Sequence, residues 1–314
     1  MSRAFIFPGQ GSQSVGMGRA LAAAFTEARD VFEEVDAALS QHLAKLMFEG
    51  PEEDLKLTEN AQPALMAVSL AVIRVLDKQG NFRLPQAAQF VAGHSLGEYS
   101  ALCAAESITL TDAAKLLKKR GQAMQQAVPV GVGTMAALIG VDVQAAQEIA
   151  AAAAQSEVCV GANDNAPGQV VISGHVAAVD RAIIIAAERG FKRSVKLPVS
   201  APFHCPLMQP AAEVMRRALA EVSIKSPCVP LVANVTAEAV SDAEAIRDLL
   251  VRQVTGSVRW RESVLYMKLQ GVTQLLECGA GAVLAGMTRR IDREIAATSL
   301  SCPEDIENFL KTLG

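Results

Sequence analysis

A change of rhythm around Ser95 constrains this chain more than any other feature of its sequence. The short apolar run Gln89-Phe90-Val91-Ala92 reads as a buried strand, Gly93-His94-Ser95-Leu96-Gly97 follows it, and a helical pattern begins at about Leu96. A strand that becomes a helix within so few residues must turn sharply, and small residues flanking a serine permit this. Such a turn projects the hydroxyl, while the helix N-terminus and the Leu96 N–H favour a developing oxyanion beside it. The bare pattern G-x-S-x-G is common by chance, with a plain glycine-rich turn as its bland alternative. The strand-to-helix setting is what favours Ser95 as a nucleophile.

The remaining patterning predicts a layered α/β chain. Leu21, Phe25, Ala28, Phe32, Val35 and Leu39 step by four and three, the signature of one helix with an apolar stripe. Leu65, Val68, Val72, Val75 and Leu76 mark a second helix. Between Val128 and Val199 the sequence predicts strand 134–140, helix 143–155, strand 158–163, strand 169–173, helix 176–189 and strand 191–199. That β-α-β-β-α-β order is the split βαβ of a ferredoxin-like module. Pro129 to Gly133 and Pro198 to Pro202 read as hinges at its ends, after which α/β patterning resumes with apolar strands at Val229–Val232 and Gln274–Leu276. The expected fold is therefore a large α/β-hydrolase-like domain, residues 1–127 and 200–314, interrupted by a ferredoxin-like subdomain, residues 128–199.

Composition excludes several classes of function. Lys and Arg number 29 against 33 Asp and Glu, a net charge of −4, and aromatics make up 4% of a chain without a long basic run, so nucleic acid is not an expected partner. The six cysteines form no C-x-x-C pair, which argues against a zinc site or a dithiol motif and suits reduced thiols in the cytoplasm. The stretch from Met1 lacks the features of a signal peptide, and no apolar run reaches the ~18 residues that would span a membrane. No metal and no cofactor are expected, and the protein is expected to be a monomer.

A serine nucleophile needs a base, and the candidates are His42, His94, His175 and His204. His42 and His175 suit solvated or capping roles at helix ends, and His94 lies on backbone whose side chains diverge from that of Ser95. His204, in the proline-stiffened stretch Ser200-Ala201-Pro202-Phe203-His204-Cys205-Pro206, is the best candidate, with a hydrogen-bonded loop histidine as the alternative. Arg120 shares a helical arc with Ala113, Leu116, Leu117 and Met124, while Lys115, Lys118, Lys119 and Gln122 lie opposite. A guanidinium on an apolar face requires an anion, either an internal Asp or Glu or a bound ligand. The glycines of Phe7-Pro8-Gly9-Gln10-Gly11-Ser12-Gln13 would let backbone approach a ligand, but this segment matches neither a phosphate loop nor a full dinucleotide fingerprint.

These segments, joined by Gln62-Pro63-Ala64, Glu98-Tyr99, Pro167 to Gly174 and Val251-Arg252-Gln253, resemble the malonyl-CoA:acyl carrier protein transacylase family from Phe5 to about Ile291. The resemblance implies malonyl-CoA and acyl carrier protein as substrates and Ser95 and His204 as a dyad. It further implies that the backbone N–H groups of Gln10 and Leu96 form an oxyanion hole and that Arg120 clamps the malonyl carboxylate. A carbonyl near Gln253 would orient the histidine, and Gln62 would line the pocket unless it serves only as a helix-start residue bonded to backbone. Glu277-Cys278-Gly279-Ala280-Gly281 departs from the family's Glu-x-Gly-Pro-Gly, which puts the rigidity of that loop in question, and Ala166 replaces the usual serine before Pro-Gly-Gln. Because the family's carrier protein is acidic, Arg289-Arg290 and Arg189, Lys192 and Arg193 are candidate docking cations. The rival readings are a serine hydrolase or thioesterase, with Asp164 or Asp180 supplying the acid of a triad, and a carrier-protein-binding module without chemistry.

Overall fold

The computed structural model describes residues 2–80 and 82–312; Met1, where the N-terminal reading begins, lies outside them. Ten strands form two sheets. The larger contains β1 (Arg3–Phe7), β2 (Phe90–Gly93), β7 (Leu231–Val232), β8 (Ala239–Val240), β9 (Gln274–Cys278) and β10 (Ala296–Leu300) in the order β10-β9-β1-β2-β7-β8. Its strands run parallel except β8, which closes the edge antiparallel to β7. The smaller contains β3 (Gly133–Ile139), β4 (Cys159–Ala166), β5 (Gln169–His175) and β6 (Arg193–Lys196) in the antiparallel order β4-β5-β3-β6. With helices Val143–Ala154 and Val176–Glu188 it has the order and pairing of a split βαβ. The fold is thus mixed α/β, as its patterning implies.

β1 and β2 are buried throughout from Ala4 to Phe7 and from Phe90 to Gly93, as expected of central parallel strands covered on both faces. Helix Thr58–Gln79 is buried on nearly every side, and Leu110–Gln126 crosses it at Gly121, where an added Cβ would stand 2.5 Å from the Glu59 Cα. That close crossing brings Arg120 of the second helix against Gln62 of the first.

The stripe from Leu21 to Leu39 belongs to two helices, Arg19–Ala24 and Thr26–Leu39, instead of one. Phe25 between them is extended, at φ −128° and ψ 127°, and Arg29 reaches back to bond the Ala22 carbonyl at 2.8 Å and the Thr26 hydroxyl at 2.7 Å. Side-chain spacing survives this break because both halves pack on the same core, so periodicity alone conceals it. The strand read at Val229–Val232 shortens to Leu231–Val232, since Pro230 has no N–H to donate. The last strand of the small sheet shortens to Arg193–Lys196, just ahead of Pro198.

The small sheet is fastened to the large body along β4. The Val258 N–H donates to the Ala162 carbonyl at 2.8 Å, the Asp164 N–H donates to the Val258 carbonyl at 3.0 Å, and Arg261 pairs with the buried Asp164 at 2.9 Å. No described helix is long and apolar enough to cross a membrane.

Candidate active site

The site lies at the carboxyl ends of β1, β2 and β7, where open parallel sheets present their loops. Phe7 pairs with Gly93 in register, so the Pro8-Gly9-Gln10 loop and the Ser95 turn emerge side by side. A Cβ on Gly93 would come within 1.9 Å of the Gly97 carbonyl carbon, and one on Gly97 within 2.3 Å of the Phe7 carbonyl oxygen. Neither position admits a larger residue. Ser95 adopts φ 53°, a left-handed conformation that costs a non-glycine residue roughly 1–2 kcal/mol. Hydrogen bonds hold it there: its N–H donates to Asn234 Oδ1 at 2.7 Å, its carbonyl accepts from Gln253 Nε2 at 3.0 Å, and the Gly93 carbonyl accepts from Asn234 Nδ2 at 2.6 Å.

Ser95 Oγ stands 2.8 Å from His204 Nε2. On the far side of the ring, Nδ1 lies 2.9 Å from the Gln253 carbonyl and 3.2 Å from the Gly256 carbonyl. Carbonyl oxygens only accept, so Nδ1 carries the proton and Nε2 is free to take one from the serine. Burial, then the charge of Arg120, holds the His204 pKa down to about 3, which keeps the imidazole neutral at physiological pH. The dyad has no carboxylate behind it. Asp164 pairs with Arg261 and Asp180 with Lys196, and neither acid that a hydrolase triad would draw on is a partner of the His204 ring.

Arg120 is 1% exposed, and among the described residues it forms no ion pair with an Asp or Glu. Its terminal nitrogens donate to neutral oxygens: Nη1 to Gln62 Oε1 at 2.8 Å, and Nη2 to Gln253 Oε1 at 2.8 Å and to Ser95 Oγ at 3.1 Å. The internal ion pair that the helical arc left open is absent among these residues. A charged fork therefore points at the Ser95 hydroxyl, its terminal nitrogens bonded to two amides and that hydroxyl, and its central carbon lies 5.8 Å from the centre of the Tyr99 ring. Gln62 and Gln253 are both buried, Gln253 completely, so the helix that carries Gln253 turns that side chain inward.

A cleft of about 320 Å³ opens over this group, lined by Gln10, Ser95, Leu96, Arg120 and His204 and walled by Met135 and Leu197 of the small sheet's side. Neither the Gln10 nor the Leu96 backbone N–H has a partner among the described residues, leaving two donors beside the serine. The Gln10 side chain turns away and donates to Thr58 Oγ1 at 3.2 Å. Cys205, next to His204, is fully buried; its thiol donates to the Pro202 carbonyl at 3.1 Å, and burial pushes its pKa up. The basic candidates Arg189, Lys192, Arg193, Arg289 and Arg290 are all exposed and line no part of the cleft, whose rim instead carries Lys56.

Three site residues escape sequence reasoning. Asn234 orients the serine turn from just beyond β7, and nothing in Ala233-Asn234-Val235 distinguishes it from loop filler. His94 bonds Asn165 of the small sheet at 2.9 Å and so ties the two sheets together beside Ser95. Glu98 is completely buried beneath the site, and burial pushes its carboxyl up to about 7 against the pull of Gln253, Asn234 and Arg120. A carboxylate among Leu96, Tyr99, Ala101 and Leu102 was the available signal. His175 holds the N-cap position of helix Val176–Glu188, but its side chain makes no capping bond; its Nδ1 accepts from the Val158 N–H at 2.9 Å. In the altered loop, the Glu277 carboxylate accepts from the Leu284 and Ala285 N–H groups, bracing the segment without the family's proline.

Comparisons with known proteins find similarity over nearly the whole chain. The family model described as "Acyl transferase domain" matches residues 4–294. The malonyl CoA-acyl carrier protein transacylase of Escherichia coli (strain K12) is 46% identical over 300 residues, covering 96% of this chain and 96% of its own. The solved acyl-carrier-protein-S-malonyltransferase from Bartonella henselae superposes with a TM-score of 0.98 at 55% identity over the whole of both chains. A malonyl-transacylase solved in complex with a type II PKS acyl-carrier protein superposes at 0.95 with 42% identity, over 99% of this chain and all of that one.

Proposed function

Because the chain belongs to the malonyl CoA-acyl carrier protein transacylase family of acyl transferases, we propose that it carries malonyl from malonyl-CoA to the phosphopantetheine thiol of acyl carrier protein through an ester on Ser95. His204 Nε2 takes the Ser95 proton as Oγ attacks the thioester carbonyl, and the N–H groups of Gln10 and Leu96 receive the oxyanion. When the tetrahedral intermediate collapses, the carbon–sulfur bond breaks and the proton passes from His204 to the departing CoA sulfur. The carrier thiol then gives its proton to His204 and attacks the ester, and as the bond from the acyl carbon to Ser95 Oγ breaks His204 returns that proton to the serine oxygen. No cofactor is required. In this reading residues 128–199 form the small unit that roofs the cleft of a catalytic unit made of 1–127 and 200–314, and the roof limits access of water to the ester. The malonyl product serves fatty-acid elongation in the cytoplasm.

One observation carries the assignment of the acyl group: a buried guanidinium without a carboxylate partner, 3.1 Å from the nucleophilic oxygen. The carboxylate of malonate fits that fork through two parallel hydrogen bonds. Acetyl would leave the charge desolvated and unpaired, a loss typically of ~2 to 5 kcal/mol, or roughly 30- to 4,000-fold. Intact mass after incubation with malonyl-CoA tests the reading. We expect a malonyl adduct that persists until carrier protein is added and is absent from Ser95→Ala. Arg120→Ala should lose most malonyl acylation and gain relative acceptance of acetyl-CoA, with Arg120→Lys recovering only part. An adduct on Cys205, or rapid loss of the ester to water, would overturn the proposal.

A further inference from the structure

Glu98 has no part in the chemistry just described, yet among the described residues it is the one fully buried carboxylate in direct contact with the residues around Ser95. An ion placed there pays a desolvation penalty of several kcal/mol, which packing alone does not offset. Its contacts indicate a task. Oε2 accepts from Gln253 Nε2 at 2.8 Å and from the Asn234 backbone N–H at 3.1 Å, two donors converging on one oxygen, which stays an acceptor whether or not the other oxygen carries a proton. Oε1 has no partner among the described residues.

The importance lies in the other end of Gln253. A glutamine amide has two ends of nearly equal shape and opposite sense, one donating and one accepting. Here Nε2 faces Glu98 and the Ser95 carbonyl, and Oε1 faces the Arg120 guanidinium. The reverse orientation would set N–H donors against a guanidinium, which has only donors, and would turn an amide oxygen toward a carboxylate. The Glu98 oxygen Oε2, an acceptor toward both of its donors, removes that orientation. Glu98 forms no ion pair with Arg120, so the fork keeps its neutral partners and its aim toward Ser95.

We infer that Glu98 is a positioning residue for substrate selection: by fixing the sense of the Gln253 amide it keeps the Arg120 fork aimed into the cleft, and so maintains the preference for an acyl group that ends in a carboxylate. This rests on the malonyl-transfer reading. The competing account is that Glu98 merely braces the serine turn through Asn234, in which case its loss harms every acyl donor alike.

The test compares wild type, Glu98→Gln and Glu98→Asp for the rates of Ser95 acylation by malonyl-CoA and by acetyl-CoA, with the melting temperature of each. Glu98→Gln keeps the shape but can present either end to Gln253. We expect its malonyl-to-acetyl ratio to fall by about tenfold or more, the worth of one hydrogen bond to a charged group. Glu98→Asp keeps an acceptor-only group and should restore part of the ratio, and it carries the test should Glu98→Gln fail to fold. A ratio equal to that of wild type in whichever variant folds overturns the inference, as does an equal loss for both donors with a lowered melting temperature. Wild-type protein that forms no malonyl ester on Ser95 would instead sink the underlying reading, and the inference with it.

Discussion

Ser95 and His204 meet through one hydrogen bond and share an unusual backbone conformation, φ 53° and φ 58°, yet they are held in opposite ways. The serine turn is shaped first from within. Gly93 and Gly97 leave no space for side chains, and Asn234 and Gln253 engage its backbone groups. The histidine loop is fixed from without: Pro202 packs against Gly133 of the small sheet, and two carbonyls from the segment around Gln253 hold the ring. A strained conformation persists only where its surroundings over-determine it, and here covalent shape does so on one side and neighbouring elements on the other. The turn therefore answers first to substitutions at its own two glycines, with Asn234 and Gln253 bracing it from elsewhere in the chain, whereas the loop answers chiefly to changes in distant parts of the chain.

The largest expected effect falls on the chemistry that joins the two. His204→Ala should slow acylation by malonyl-CoA by ~10²- to 10⁴-fold while the protein stays folded, because the serine turn does not depend on the imidazole. Acylation at the wild-type rate near neutral pH would remove His204 from the mechanism. Gly97→Ala comes next. Its methyl would press on the Phe7 and Pro8 carbonyls at 2.3 and 2.9 Å, backbone atoms that cannot step aside. Chemical denaturation should record a loss at or beyond the upper end of the ~1–3 kcal/mol usual for overpacking, and a variant as stable as wild type would contradict the account of the turn. The smallest effect sharpens the contrast. Gly133→Ala would press on the Pro202 ring at 2.3 Å, moving the His204 loop from outside. Stability should fall by only ~1 kcal/mol, the lower end of the same range, with acylation slowed more than that loss explains. Equal proportionate damage from Gly97→Ala and Gly133→Ala would abolish the distinction between the two kinds of support.

The same contrast separates what could be read from the sequence from what could not. The serine turn was legible because its requirements are local: a strand, two glycines and a helix start, all within Phe90 to Gly97. The strands of the small sheet were legible to within a few residues, since alternation and flanking turns set them. Arg120 stood out because one charge broke an apolar arc, although spacing alone could not say whether its partner was an internal acid or a ligand. The role of Asn234 depends on β7 lying beside β2, a fact of sheet order that no local pattern encodes. Glu98 was quoted within the matched motif yet given no role, because its significance depends on Gln253, 155 residues away. The break at Phe25 was hidden for a different reason, that apolar spacing reports the face a helix buries and not whether its axis is continuous.

Cys205, described as a buried neighbour of His204, bears on chemoselectivity. Under the proposed reaction the acyl donor, the acyl acceptor and the released group are all thioesters or thiols, so any thiolate of the enzyme would compete for the acyl group or exchange into mixed disulfides with coenzyme A. Burial raises the pKa of all six cysteines, Cys159 to about 11 and Cys103 to about 12. At neutral pH these sulfurs stay protonated and weakly nucleophilic. The protein can thus handle sulfur chemistry through an oxygen nucleophile, with its own sulfur atoms kept as bystanders.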